Sequence, residues 1–365
     1  MGRPPKDSLT QTISKALSTG FDLESFKKSK YLDKGVKFKE QKWIPLSPAI
    51  QNALSIPGIP VGHITLLRGH SDTGKTTAML EAAISAQKMG ILPIFIITEM
   101  KWSWDHAKQM GFQLEEVPGE NGEVVDYKGN FIYVDRGSLG TIEDVSGFIA
   151  DILNEQSKGK LPFDLLFLWD SIGSIPCNMS VEQGKNNPMW NAGAMATQFG
   201  NFINQRFPMS RKENQPYTNT LVGVNKVGVQ PPESPMSKAR MTNKGGNAMF
   251  WDASIVLTFG NVTNSGTSKI KATKNGKEIE FAKRTKVACD KNHVNGITSK
   301  STITVTVHGF IPDDKKDIDA YKKEHSSEWV SILGEGNFET IEDNSEWDES
   351  KNIALLAVEE EESSE

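Results

Sequence analysis

One octapeptide constrains the fold more than any other stretch. Gly69-His70-Ser71-Asp72-Thr73-Gly74-Lys75-Thr76 fits the pattern G-x-x-x-x-G-K-[ST]. It comes directly after the apolar run Ile64-Thr65-Leu66-Leu67 and runs straight into a helical stretch over residues 77–88. Strand, glycine-rich turn and helix in that order make a phosphate-binding loop. The glycines let backbone N–H groups converge on an anion, Lys75 brings a mobile cation, the Thr76 hydroxyl can bind Mg²⁺, and Thr77 opens the helix behind them.

The surrounding pattern supplies the sheet such a loop needs. Short β-rich runs at 63–68, 92–98, 131–134, 163–170, 218–225 and 253–259 alternate, at least early on, with helical stretches. That alternation predicts an α/β fold with a doubly wound, mostly parallel sheet. After residue 259 the runs become rich in Thr and Val, at 269–272, 278–289 and 301–307, separated by Asn275-Gly276 and Asn295-Gly296. These predict antiparallel hairpins extending the sheet. The expected organisation is a polar, basic segment 1–40, a core over 41–311, a small C-terminal region over 312–341 with one or two short helices, and a tail over 342–365. In the first segment Leu9, Ile13 and Leu17 recur at helical spacing behind Ser8, a suitable cap.

Composition excludes other classes. With 365 residues, 37% hydrophobic and 24% charged, the chain has the make-up of a globular protein with a substantial core, not of a collagen, a coiled coil or a disulfide scaffold. No stretch approaches the roughly 20 apolar residues that cross a bilayer, and the polar start leads into no apolar signal core, so the chain is expected in the cytoplasm, away from membranes. Cys177 and Cys289 lack metal-ligand spacing and read as reduced packing residues. The net charge of -5 hides an asymmetry: residues 342–365 carry ten acidic residues against Lys351, a net -9, which leaves the rest at +4. A mildly basic body with an acidic tail suits a polyanion-binding protein whose tail competes with its ligand; a solubilising end has the same composition.

Two carboxylates complete the chemistry of the loop. The run 163–170 is apolar and ends in Asp170, the arrangement of an acidic Mg²⁺ anchor at a strand end, with Ser171 free to cap a helix starting just after it. Thr98-Glu99 closes the run that starts at Leu92, where a carboxylate can polarise water against a γ-phosphate; Glu99 is the candidate general base, and a solvated loop acid is the alternative.

Further residues carry a family resemblance. Ile44-Pro45-Leu46-Ser47-Pro48-Ala49-Ile50, then 57–64 leading into the loop, then Ile96-Ile97-Thr98-Glu99, Trp169-Asp170-Ser171, Val224-Asn225-Lys226, Lys244-Gly245-Gly246-Asn247-Ala248 and Lys291-Asn292-His293 occur in the order found in RecA-type recombinases. The chain resembles that family over about residues 44–308, and compact phage-encoded members resemble its layout. The resemblance implies a RecA-like ATPase core using ATP and Mg²⁺, with Lys75 and Thr76 on the phosphates and metal, Asp170 positioning the metal and Glu99 activating water. Asn225 and Lys226 would lie near the γ-phosphate, and Lys291, with His293, would reach the γ-phosphate of a neighbouring subunit. Two departures stand out: Lys226 occupies the place of a Gln in bacterial members, and His293 that of a second Lys.

In the family two loops line a DNA channel. The first, 180–191, carries Lys185, Met189 and Trp190; the second, 227–244, carries Met236, Lys238, Arg240, Met241 and Lys244 and ends at Gly245-Gly246. Cations for the backbone and apolar groups for the bases are what sequence-independent single-strand binding requires. Trp102, Trp104 and His106 lie where members contact the adenine, and the stripe Leu9, Ile13, Leu17 where members dock on the next protomer. The expected function is therefore a DNA-dependent ATPase that forms helical homo-oligomeric filaments on single-stranded DNA and pairs it with homologous duplex DNA in recombination and repair. A single-strand-binding protein or a loading mediator could meet the acidic tail. A hexameric helicase with the same motor fold and a non-catalytic, ATP-regulated single-strand binder are the alternatives.

Overall fold

In this computed structural model the residues described are 37–185, 187–230, 240–262 and 268–342. The stripe Leu9, Ile13, Leu17, the residues Met236 and Lys238, and the tail beyond Glu342 lie outside them. The chain divides into two compact units, a small one of 1–40 with 212–216 and a large one of 41–211 with 217–365. In the small unit Phe38 bridges to Lys212, and the Glu213 N–H donates to the Lys37 carbonyl at 2.8 Å.

In the large unit six parallel strands form the sheet's centre, in the order Ile255–Gly260, Ile64–Gly69, Asn219–Gln230, Leu165–Asp170, Leu92–Ile97, Ile132–Asp135. Alternate residues of each strand enter opposite cores. Leu166 and Leu168 join Phe95, Ile97 and Leu67 on one face; Leu165, Phe167 and Trp169 join Ile94, Ile96, Ile64 and Leu66 on the other. Burial on both faces is why these strands read as continuous apolar runs and not as alternating ones.

The antiparallel extension also forms where the Thr/Val-rich runs predict it. Lys277–Asn292 pairs with Ile255–Gly260, then with Ser299–Thr306, which pairs with Gly309–Pro312; Ser268–Lys274 and Glu339–Glu342 add at the same side. Asn275 and Gly276 sit at φ 52° and 75°, as a two-residue hairpin turn requires. The C-terminal region holds the helix Lys315–His325, a 3-10 turn Ser326–Trp329 and the helix Val330–Leu333; Ile318, Tyr321, Trp329 and Leu333 cover Ile270, Ala272 and Phe281.

Two elements differ from the sequence reading. Glu115–Pro118 and Val124–Lys128 form a separate hairpin whose residues are mostly exposed, so no apolar alternation marks it. The stretch 227–244 is not wholly a loop. The strand Asn219–Gln230 runs on past Asn225, and Arg240–Asn243 returns along it, Val227 opposite Asn243 and Gln230 opposite Arg240. Among the described residues no helix is long and apolar enough to cross a membrane.

Candidate functional site

Because the central strands are parallel, their C-terminal ends share one edge, the usual ligand edge of an open α/β sheet. The loop 69–74 leaves Ile64–Gly69 there and enters the helix Lys75–Lys88. Gly69, at φ 148°, must be glycine: a Cβ there would lie 1.9 Å from the Phe259 carbonyl oxygen of the neighbouring strand. Thr73 Oγ1 donates to the His70 carbonyl at 2.8 Å, and the His70 N–H to the Phe259 carbonyl at 3.2 Å. Ser71 and Asp72 face solvent, Asp72 at φ 59°.

The catalytic and metal candidates other than Lys291 form one cluster. Thr76 Oγ1 donates to Asp170 Oδ2 at 2.7 Å. The Thr98 and Glu99 N–H groups both donate to the Asp170 carbonyl, at 2.8 and 3.3 Å, which fixes the two strand ends side by side. Ser171 Oγ donates to Glu99 Oε1, and Lys226 Nζ stands 3.0 Å from both Glu99 oxygens. The Lys75 ammonium donates to the His70 carbonyl. Lys75, Thr76, Asp170, Glu99 and Lys226, distant in sequence, are thus neighbours.

Their electrostatics arise from burial. Burial pushes the Asp170 carboxyl up to about 6, with the Glu99 charge adding to the rise and the Thr76 hydrogen bond opposing it. Burial lowers the Lys75 ammonium to about 8, helped by Lys226 and resisted by Asp170, Glu99 and Asp72. For Glu99 burial acts upward, but the Ser171 and Lys226 contacts outweigh it and hold the carboxyl below its ordinary value. Burial, then the Lys75 charge, lowers the His70 imidazole.

Two contributors escape sequence reasoning. Ser171 stands at the N-terminus of the short turn Ile172–Ser174 but makes no cap bond, its hydroxyl being committed to Glu99. Thr98 accepts from Trp169 Nε1 at 3.2 Å and donates to the Ser171 carbonyl at 2.8 Å, locking the end of Leu92–Ile97 to the end of Leu165–Asp170. Adjacency to Asp170 and Glu99 is the one signal that marks them. Arg68 is also silent in the sequence: it is 2% exposed, donates to Thr258 and Asp290, and lies 4.7 Å from the Phe250 ring centroid.

The remaining candidates lie elsewhere on the unit. Trp102 and Trp104 are half-buried in an aromatic cluster with Phe95, Phe112, Phe131 and Tyr133. His106 lies in the first turn of the helix Trp104–Gln109, its N–H donating to Ser103 Oγ at 3.1 Å; burial and nearby His308 lower its imidazole. Lys291 Nζ donates to the Phe250 and Trp251 carbonyls, at 3.1 and 2.7 Å, at the end of the helix Ala248–Asp252, and the His293 N–H donates to the Ser254 carbonyl. Asn225 Nδ2 donates to the Lys244 carbonyl at 3.0 Å, and its buried Oδ1 has no partner among the described residues. Gly245 and Gly246 come next, at φ 83° and 91°. Lys185 is exposed; Met189, 77% exposed, opens the helix Pro188–Gln198 under an Asn187 cap, beside the half-buried Trp190. Arg240 and Met241 lie in the returning strand.

Residues 30–123 match the family model described as the RecA N-terminal domain. The chain is also similar to Protein RecA of Mesoplasma florum, 28% identical over 104 residues, which is 27% of this chain and 31% of that protein. Protein RecA of Mycoplasma mobile is 30% identical over 123 residues, covering 32% and 36%, and that of Aquifex aeolicus 35% identical over 85 residues, covering 23% and 25%. The matches therefore span about a third or less of these relatives. Together with the mixed sheet and its loop edge, they support a RecA-family relationship.

Proposed function

We propose that the chain is a DNA-dependent ATPase that assembles into helical filaments on single-stranded DNA and catalyses homologous pairing and strand exchange. One observation carries the reading: the base Glu99, the metal anchor Asp170 and the loop residues Lys75 and Thr76 meet Lys226 on the strand whose continuation 227–230 pairs with 240–243. A group that touches the base and stands at the root of a candidate DNA element can couple hydrolysis to DNA.

The donor set fits Mg²⁺. Thr76 Oγ1 and the Asp170 carboxylate offer hard oxygen ligands, and the raised Asp170 carboxyl marks a buried charge that a cation would compensate. Bound there, Mg²⁺ would neutralise charge on the β- and γ-phosphates of ATP. The loop N–H groups and Lys75 hold the phosphates. Glu99, ionised because Ser171 and Lys226 favour its charged form, accepts a hydrogen bond from the attacking water. The Lys226 ion pair weakens that base while it lasts. A γ-phosphate competes for the Lys226 ammonium, and drawing it off Glu99 frees the carboxylate for water and shifts the hairpin's root. ATP then acts chiefly as a switch, hydrolysis returning Lys226 to Glu99. On this reading Lys291 leaves the Phe250 and Trp251 carbonyls to reach the γ-phosphate of the adjacent subunit, a contact of a class worth roughly 10³–10⁵ in rate. Lys185, Met189, Lys244 and the hairpin's Arg240 and Met241 contact the DNA backbone and bases, and Trp102, Trp104 and His106 border the adenine. The first segment's apolar stripe docks on the next protomer.

The test is ATP hydrolysis with and without single-stranded DNA, and then negative-stain imaging in a slowly hydrolysed analogue. DNA-stimulated turnover with helical filaments is expected, and Glu99→Gln should cost about 10²–10⁴ in turnover while sparing nucleotide affinity. Closed rings would point to a helicase. DNA binding without hydrolysis would overturn the assigned base.

A further inference from the structure

At the outer end of the antiparallel extension three potential ligand side chains converge. His308 occupies the turn between Ser299–Thr306 and Gly309–Pro312, His325 ends the helix Lys315–His325, and Glu328 lies in the adjoining 3-10 turn. His325 Nδ1 is 2.7 Å from Glu328 Oε1, and His308 Nε2 is 3.6 Å from the same oxygen. One ligand atom from each of the three lies within 4.8 Å of the others. The two imidazoles stack, ring centres 4.0 Å apart and planes at 18°.

The separations from Glu328 are close to those of coordination, but the stacked rings direct their in-plane lone pairs nearly parallel, so binding also requires one imidazole, His325 at the helix end, to turn toward Glu328. Around a tetrahedral ion with bonds of about 2.0–2.1 Å, neighbouring ligand atoms stand about 3.4 Å apart. The His308–Glu328 gap is already near that value, and the His325–Glu328 contact has to open by about 0.7 Å, within reach of a carboxylate rotation. The surroundings orient the donors as well. His308 Nδ1 is 2.8 Å from the Tyr321 hydroxyl; with the Nδ1 proton committed there, the Nε2 lone pair faces Glu328. Gln109 reaches over from the helix Trp104–Gln109, its amide 3.4 Å from His308 Nε2, and a half-turn of that amide would present its oxygen as a fourth ligand.

We propose that His308, His325 and Glu328 form a binding site for one divalent transition-metal ion of the Zn²⁺ class, oriented by Tyr321 and tying the 307–308 turn to the C-terminal helix. Two imidazoles with one carboxylate favour Zn²⁺, Ni²⁺ or Cu²⁺, whereas Mg²⁺ prefers oxygen donors throughout, so this site and the Thr76–Asp170 pair take different ions. The turn belongs to the hairpin whose Val305 and Phe310 side chains stand against Gly74 of the phosphate loop, so an ion here would stiffen one wall of that loop.

The test uses the full chain, stripped with a chelator and titrated with Zn²⁺ by calorimetry in excess Mg²⁺. One Zn²⁺ per chain is expected, with affinity falling at least about tenfold in His308→Ala, His325→Ala and Glu328→Gln, about tenfold in Tyr321→Phe, and unchanged in His293→Ala. Co²⁺ added to the unaltered chain should give the visible absorption of a tetrahedral nitrogen–oxygen site, a reading that does not depend on any variant folding. Unchanged Zn²⁺ affinity in a folded His308→Ala/His325→Ala chain, or no stoichiometric Zn²⁺ binding by the unaltered chain, would overturn the proposal.

Discussion

Burial lifts the Asp170 carboxyl to about 6, and this makes the proposed metal anchor a titrating group. The folded carboxyl lies above its ordinary value, so the folded chain takes up a proton as pH falls through about 6, and the anchor's charge is lost below that point. In the metal-free chain the same shift makes this group's contribution to stability fall as pH rises from about 4 to about 6, because ionising a buried carboxylate disfavours the folded state. A bound divalent cation reverses that cost and requires the ionised form. The affinity for MgATP should therefore drop about tenfold per pH unit below 6 and be flat above it, as read by titrating a fluorescent ATP analogue between pH 5 and pH 7.5. An affinity independent of pH across that range would remove Asp170 from the metal site. Lys75, lowered only to about 8, begins to lose its proton only at the upper end of that range and cannot produce a break near pH 6.

At the scale of elements, the loop 69–74 and its helix are held from outside by the last hairpin. The partly buried Glu81, on the helix Lys75–Lys88, accepts the Ser47 N–H at 2.9 Å and the Phe310 N–H at 3.2 Å, joining the loop helix to two elements far away in sequence. Replacing Glu81 by Ala orphans both N–H groups at a cost of about 1–3 kcal/mol each, so Glu81→Ala should unfold at clearly lower urea, with Glu81→Gln between it and the unaltered chain. Equal midpoints for all three would mean that water satisfies those donors. This tie also marks the limit of what is legible in the sequence. The loop, the Asp170 strand and the hairpin turn at Asn275-Gly276 are readable because each has a local signature: a glycine spacing, an apolar run ending in an acid, a turn dipeptide. Glu81 and Arg68 have no local signature, and Ser171 and Thr98 are marked only by adjacency to Asp170 and Glu99, since the partners of all four lie 34 to 229 residues away and depend on which strands become neighbours. The Glu99–Lys226 ion pair is of the same kind: both residues stand out in the sequence, but their contact depends on the order in which the strands assemble.

Across the whole molecule the charge is divided along the chain, with a net +4 before residue 342 and -9 from there on. Sequence-independent binding of single strands draws most of its free energy from cations that displace counterions along the backbone. On the proposed reading, a tethered acidic segment would present carboxylates to those same cations at high effective concentration and act as a competitor whose strength falls with salt as the DNA's does. Glu342 pairs with Ile270 in the sheet, so a truncation that spares folding begins one residue later. Removing residues 343–365 takes away nine carboxylates and one lysine. The truncated chain should bind single-stranded DNA about tenfold more tightly at low salt, and the advantage should shrink as salt rises, because both competing interactions are screened together. Fluorescence anisotropy with a labelled oligonucleotide across a salt series reads both quantities. If truncation leaves affinity unchanged at every salt concentration, the tail does not reach the DNA site. If it raises affinity equally at every concentration, the tail obstructs the site by its bulk and not by its charge.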